Sequence, residues 1–195
     1  MTKTIVITGA GLGLGRALAR RFANDGDNVV LLGRTLSKVE AAANEIGAQA
    51  MAVLCDVSDP ASVRAAFATI ARAHPRIDVL INNAAIFQPF LLKDATDDQI
   101  MGITATDLAG PMLCCREAIP MMGRGSHIIN ISSESVEMPF PHLSVYQSSK
   151  AGLERLSLSL FRELEPDGIR VTSVRAGTMH EEGKVWDAAP EAQMA

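Results

Sequence analysis

The chain has 195 residues, 48% of them hydrophobic and 21% charged, which suits one domain with a substantial core. Its net charge of −4 offers no basic surface for nucleic acid or an anionic membrane, and no apolar run approaches the ~20 residues that span a bilayer. Cys55, Cys114 and Cys115 form no spaced disulfide or metal pattern, and Met1-Thr2-Lys3-Thr4 leads into a strand with no room for a signal peptide; the expectation is a reduced, cytoplasmic protein without a metal site.

Apolar runs fall at 4–8, 28–32, 51–55, 77–82, 127–131 and 169–174, with helical periodicity between them near 13–25, 37–46, 60–73, 97–120 and 147–164. Runs that are apolar throughout suit a parallel sheet covered on both faces. Their alternation with helices predicts an α/β fold, a doubly wound parallel sheet of the Rossmann type with right-handed crossovers. No repeat, linker or low-complexity stretch divides the chain, so residues 1–195 are read as a single domain.

After the first run comes Thr8-Gly9-Ala10-Gly11-Leu12-Gly13-Leu14-Gly15, and Leu14, Leu18 and Phe22 then recur every fourth residue. That is a strand, a glycine turn and a helix N-terminus. Residues without side chains let the backbone approach a pyrophosphate, while free N–H groups and the helix dipole offset its charge. A bare turn is the plainer reading, but the strand–turn–helix setting assigns Thr8, Gly9, Gly11, Leu12, Gly13, Leu14 and Gly15 to a nucleotide cofactor. The second strand ends at Gly33-Arg34, about twenty residues on, where such folds meet the adenosine ribose. There is no acid there to repel a 2′-phosphate; Arg34 supplies a charged fork that suits one. The expectation is NADP(H) over NAD(H), against the alternative of a solvated loop arginine.

The third strand ends at Cys55-Asp56-Val57, and Asp59-Pro60 has the form of a helix N-cap with proline at the first helical position. Asp56 and Val57 are then free to face a cofactor crevice. Asn82-Asn83-Ala84-Ala85 closes the fourth strand at the carboxyl edge, where small residues allow close approach; a structural turn is the competing account. Asn130-Ile131-Ser132 has the form of a glycosylation site but lies in an apolar strand and is set aside. The fifth strand delivers Ser132-Ser133, and Tyr146 and Lys150 follow with a spacing of four that puts them on one helical face. A free phenol, pKa about 10, is too weakly acidic to serve as a base near neutrality, and an adjacent ammonium lowers that value.

Taken together, Thr8-Gly9-x-x-x-Gly13-x-Gly15, Asp56, Asn82-Asn83-Ala84, Ser133, Tyr146-x-x-x-Lys150 and Arg175-Ala176-Gly177 closely resemble the short-chain dehydrogenase/reductase family, in its order and approximate spacings. The resemblance covers nearly the whole chain. It implies that Tyr146 is the general acid/base toward a substrate carbonyl or hydroxyl oxygen. It implies that Lys150 lowers the tyrosine pKa and meets the nicotinamide ribose, and that Ser133 polarises the substrate oxygen. Asp56 resembles the residue that meets the adenine amino group, and Asn83 and Ala84 those lining the adenosine and ribose. Gly177 and Met179 complete the implied cofactor set. A small-molecule carbonyl or alcohol is the implied substrate, and a homodimer or homotetramer, paired through the helices at 97–120 and 147–164, the implied assembly.

Three positions depart from the family pattern. Asp107 stands where the family has a fourth catalytic residue, an asparagine; an ionised carboxylate accepts but cannot donate as an amide does. A proton-relay or helix-kink role is open to it, as is a structural one. Ala85 replaces a usual glycine and Ala176 a usual proline. The family also continues beyond this length through helices that roof the substrate pocket and a last strand, so 178–195 reads as the start of a truncated or mobile substrate-side segment. Ala85–Phe90, Glu134–Pro141 and the tail are the expected pocket walls. Alternatives to a dehydrogenase are a catalytically impaired nucleotide-binding or scaffold protein on the same fold, or a lyase or epimerase that recycles its nicotinamide.

Overall fold

The computed structural model describes residues 2–177; Met179, Trp186 and the whole of 178–195 lie outside the described residues. Six parallel strands form one sheet: β1 (Thr4–Thr8), β2 (Asn28–Gly33), β3 (Ala50–Leu54), β4 (Val79–Asn82), β5 (His127–Ser133) and β6 (Arg170–Ala176). Their order is β3-β2-β1-β4-β5-β6.

Both faces of this sheet are covered, and the pleat sorts the residues. Ile5 and Ile7 of β1 join a core with Ala19, Val39 and Ala42, on α1 (Gly13–Asn24) and α2 (Leu36–Ile46). Val6 between them joins the other, with Phe67, Ile70, Cys114 and Leu164. Those residues come from α3 (Pro60–Ala73), α5 (Gly110–Ala118) and α6 (Ser144–Leu164). A two-residue side-chain period therefore builds a doubly wound sandwich from strands that look uniformly apolar in sequence. The three cysteines are free and buried in the second of these layers.

Helix ends follow local chemistry. Asp59 caps α3 by accepting from the N–H groups of Ala61 at 2.9 Å and Ser62 at 3.1 Å, with Pro60 at the first position, as its sequence predicts. The helix expected over 147–164 starts earlier, at Ser144, because the Leu143 carbonyl accepts from the Gln147 N–H at 2.8 Å. Tyr146 thus lies inside the first turn. The continuous helix expected over 97–120 is interrupted: α4 (Asp97–Thr104) passes into a π-helical turn, Ala105–Ala109, before α5. Pro111 supplies the reason. It has no N–H for the Asp107 carbonyl, and its ring crowds that same carbonyl. The backbone widens instead, and Gly110 donates to the Ala105 carbonyl.

Asn130 is fully buried in β5. It accepts from Asn82 at 2.8 Å and donates to Ser157 at 2.8 Å, linking β4, β5 and α6 through a polar chain. No helix among the described residues is long and apolar enough to cross a membrane.

Candidate active site

The chain runs outward from β1 to β3, then returns to place β4 on β1's other side. Connections leave in opposite directions from β1 and β4, which opens a crevice beyond their carboxyl ends. A cleft of about 250 Å³ lies there, and Gly9, Arg34, Asp56, Val57, Asn83 and Ala84 line it. Six residues chosen from sequence are thus brought to one concavity. Leu12 precedes α1 without a side-chain cap, so the first N–H groups of that helix, from Gly13, Leu14 and Gly15, have no capping partner of their own.

The glycine turn is shaped to admit backbone and nothing else. Gly9 has φ +66°, and a Cβ there would lie 2.8 Å from the Ala84 Cα. A Cβ on Gly15 would lie 2.5 Å from the Gly9 carbonyl oxygen and 2.6 Å from Asn83 Nδ2. Helix, turn and β4 therefore touch without side chains between them. A dinucleotide's pyrophosphate fits this cradle: the donors are backbone N–H groups at a helix N-terminus.

Thr8 and Asn83 bind each other's segments. The Thr8 hydroxyl accepts from the N–H groups of Asn83 at 2.9 Å and Ala84 at 3.0 Å and donates to the Ile81 carbonyl at 3.5 Å. The Asn83 amide donates to the Thr8 carbonyl at 2.9 Å. Their side-chain hydrogen bonds lock β1 to β4. Asp56 keeps one oxygen on Ser58, which donates through N–H at 2.9 Å and Oγ at 2.6 Å. Lys38, which the sequence reading passed over, packs against the turn: its Cβ lies 3.1 Å from where a Cβ on Gly11 would be. Gly177, at the end of β6, lies beside Glu134; a Cβ there would be 2.7 Å from that carboxylate.

Ser133, Tyr146, Lys150 and Asp107 meet at one place. β5 ends in Ser133, α6 carries Tyr146 and Lys150, and the π-helical turn carries Asp107. Lys150 is almost fully buried and donates to the Ile131 carbonyl at 3.0 Å. Its Nζ lies 5.7 Å from the centre of the Tyr146 ring and 3.7 Å from Asp107 Oδ2. Asp107 is 0% exposed. Its Oδ1 accepts from the Ile86 N–H at 2.8 Å, while Oδ2 has no hydrogen-bond partner among the described residues. Phe87, an expected pocket wall, meets the Tyr146 ring edge to face at 5.2 Å.

Burial controls the electrostatics here. It pushes the Asp107 carboxyl up to about 6, against the pull of Lys150 and the Ile86 N–H. It pushes the Lys150 ammonium down, against the pull of Asp107. Tyr146 stands above its usual value because burial raises it; a Ser133 hydrogen bond lowers it in part, and the Asp107 charge raises it further. The net direction for Tyr146 is thus opposite to the acidification expected from Lys150 alone. The main reason is burial of the phenol, to which the Asp107 charge adds.

The sequence pattern of the family described as short chain dehydrogenase matches residues 3–187. Carbonyl reductase family member 4 of Danio rerio is 33% identical over 182 residues, which make up 92% of this chain and 77% of that protein. The chloroplastic chlorophyll(ide) b reductase NOL of Arabidopsis thaliana is 36% identical over 178 residues, 85% of this chain, and the match spans only 51% of that relative. Among solved structures, the 3-ketoacyl-(acyl-carrier-protein) reductase of Brucella melitensis complexed with NADH superposes with a TM-score of 0.85 at 30% identity, covering 90% of this chain and 75% of that one.

Proposed function

The chain belongs to the short chain dehydrogenase family, and from that premise we propose that it interconverts a carbonyl and a secondary alcohol with NADP(H), using Tyr146 as the general acid/base. The observation that carries this reading is the convergence of Ser133, Tyr146 and Lys150, from β5 and α6, around Asp107, which accepts from the cleft-lining Ile86. The bound nicotinamide supplies or accepts the hydride. Everything else falls to this chain's own residues. Backbone N–H groups at the start of α1 hold the pyrophosphate. Ser133 donates to the substrate oxygen, where negative charge grows during reduction. Tyr146 delivers the proton to that oxygen, and Lys150, held by the Ile131 carbonyl, keeps positive charge beneath the phenol.

NADP(H) is the cofactor this reading favours, although the similar Brucella reductase is described with NADH. Arg34 lines the cleft, with no acid at the end of β2 and Lys38 four residues on. Arg34→Ala is expected to weaken NADPH binding roughly 10- to 100-fold, the loss of a charge-assisted contact, and to leave NADH binding unchanged. Fluorescence titration with both cofactors checks it. Equal affinity of the parent for the two removes the preference.

The same reading gives a small, partly apolar carbonyl substrate and a cytoplasmic setting, which the free thiols support. It also gives a homodimer or homotetramer through α4–α5 and α6, which carry the exposed Met101, Met112, Leu158 and Phe161. Sedimentation velocity should find two or four copies at micromolar concentration; a monomer sinks this part alone.

A second reading, a nucleotide-binding protein without turnover, draws on Asp107, whose charge adds to the raised tyrosine pKa. Tight NADPH binding with no cofactor oxidation across a panel of ketones and aldehydes would favour it.

A further inference from the structure

The turn after β5, Glu134–Val136, carries a side chain that the proposed chemistry has not used. Ser135 is buried, at 7% exposure. Its Oγ lies 2.8 Å from Ser133 Oγ, and its N–H donates to that same oxygen at 3.2 Å. Gln147, next to Tyr146 in sequence, fixes the loop by donating its amide to the carbonyls of Ser135 and of Met138. The backbone N–H alone would suffice to cap the turn; the second hydroxyl is extra.

Counting protons gives its direction. Ser133 has one proton and two acceptor sites. In the proposed reaction that proton is given toward Tyr146 and the substrate oxygen. The proton is then used, so the 2.8 Å contact is made by Ser135 donating. Ser135 Oγ has no other hydrogen-bond partner among the described residues. Both acceptor sites on Ser133 are thereby filled from one residue, and the Ser135 hydroxyl polarises that of Ser133.

We propose that Ser135 is a positioning residue, whose N–H and hydroxyl fix the Ser133 rotor so that the Ser133 proton points at Tyr146 and, in turnover, at the substrate oxygen. The proposal rests on the reductase reading for its place in a reaction. Its geometry can be tested without one, because Tyr146 is the only tyrosine in the chain and its ionisation can be followed by phenolate absorbance alone.

The experiment is a rapid pH-jump titration of phenolate absorbance, read before alkaline unfolding, on the full chain and on Ser133→Ala, Ser135→Ala and Ser135→Thr. Ser133→Ala, which removes the direct donor, should raise the tyrosine midpoint by about one unit. Ser135→Ala should raise it by about 0.5 unit, and Ser135→Thr, which keeps the hydroxyl, should restore the parent value. Ser135→Cys, a weaker donor of similar size, replaces Ser135→Ala if that variant does not fold and should give an intermediate rise. A midpoint in Ser135→Ala equal to the parent's overturns the proposal; so does an unmoved midpoint in Ser133→Ala. Cofactor oxidation with a β-keto ester and with phenanthrenequinone adds the second arm, where Ser135→Ala should lower kcat several-fold with KM nearly constant. If the parent oxidises no cofactor while the midpoints still move, the reductase reading fails and the hydroxyl chain stands.

Discussion

Tyr146→Phe should lower the turnover of a ketone or aldehyde by about 10²–10⁴-fold while leaving NADPH affinity within about twofold. The ring is kept, and with it the edge-to-face contact with Phe87, so the change removes one hydroxyl and little packing. On the proposed mechanism, what is lost is the proton donor to the developing alkoxide. Lys150, at 5.7 Å from the ring centre, cannot substitute, because its Nζ is held on the Ile131 carbonyl. The check pairs steady-state cofactor oxidation across a carbonyl panel with a fluorescence titration of NADPH. Turnover that survives within tenfold would remove Tyr146 from the chemistry, and parallel losses of binding and turnover would mark a folding defect instead.

Asp107→Asn should change how stability depends on pH. The folded protein holds the Asp107 proton to about pH 6, against an ordinary 3.8. A carboxyl whose pKa is raised by folding binds its proton more tightly in the native state than in the unfolded chain. Its contribution to stability is therefore fully present below about pH 3.8 and is lost as pH rises through about 6. At about 1.4 kcal/mol for each pH unit between those values, the parent should lose about 2 kcal/mol relative to Asp107→Asn between pH 4 and 7. The amide keeps the shape and can still accept from the Ile86 N–H, so packing cancels in the comparison. Urea denaturation of both proteins at several pH values measures it. Parallel curves would mean that Asp107 titrates like a surface aspartate. Losing the carboxylate should also relieve the charge that raises the Tyr146 pKa, so the tyrosine midpoint should fall in the same variant.

These expectations differ in how far sequence could have supplied them. The sheet, its double covering and the glycine turn were legible because they rest on local signals: apolar runs, helical spacing, and glycines between a strand and a helix. The Asp59-Pro60 cap was legible for the same reason. The Thr8–Asn83 lock was not, because residues 75 apart in sequence meet only once β1 and β4 pair. The charged cluster in which Arg175 binds both Glu154 and Glu137 joins β6, α6 and the loop after β5 in the same way. Gly110-Pro111 was a visible signal, since proline inside a helix period announces an interruption, yet periodicity alone ran the helix from 97 to 120. Tyr146 and Lys150 were paired by motif spacing, and Ser133 and Asp107 were named from the family resemblance. Their electrostatics were not legible: spacing puts Lys150 near Tyr146 but says nothing of the burial that raises the tyrosine. Ser135 carried only a weak signal, a third serine close behind Ser132-Ser133.

The widened turn around Asp107 is set by a ring that belongs to Pro111, four positions further along, and by the Gly110–Ala105 bond. Neither of these involves the side chain at 107. The backbone there works as a socket whose depth and aim are independent of what is plugged in, so an acid, an amide or an alcohol could be exchanged at this one position and still be presented to the same lysine. Acidity at the heart of the crevice is in that sense an adjustable setting of this scaffold, separable from the scaffold's assembly.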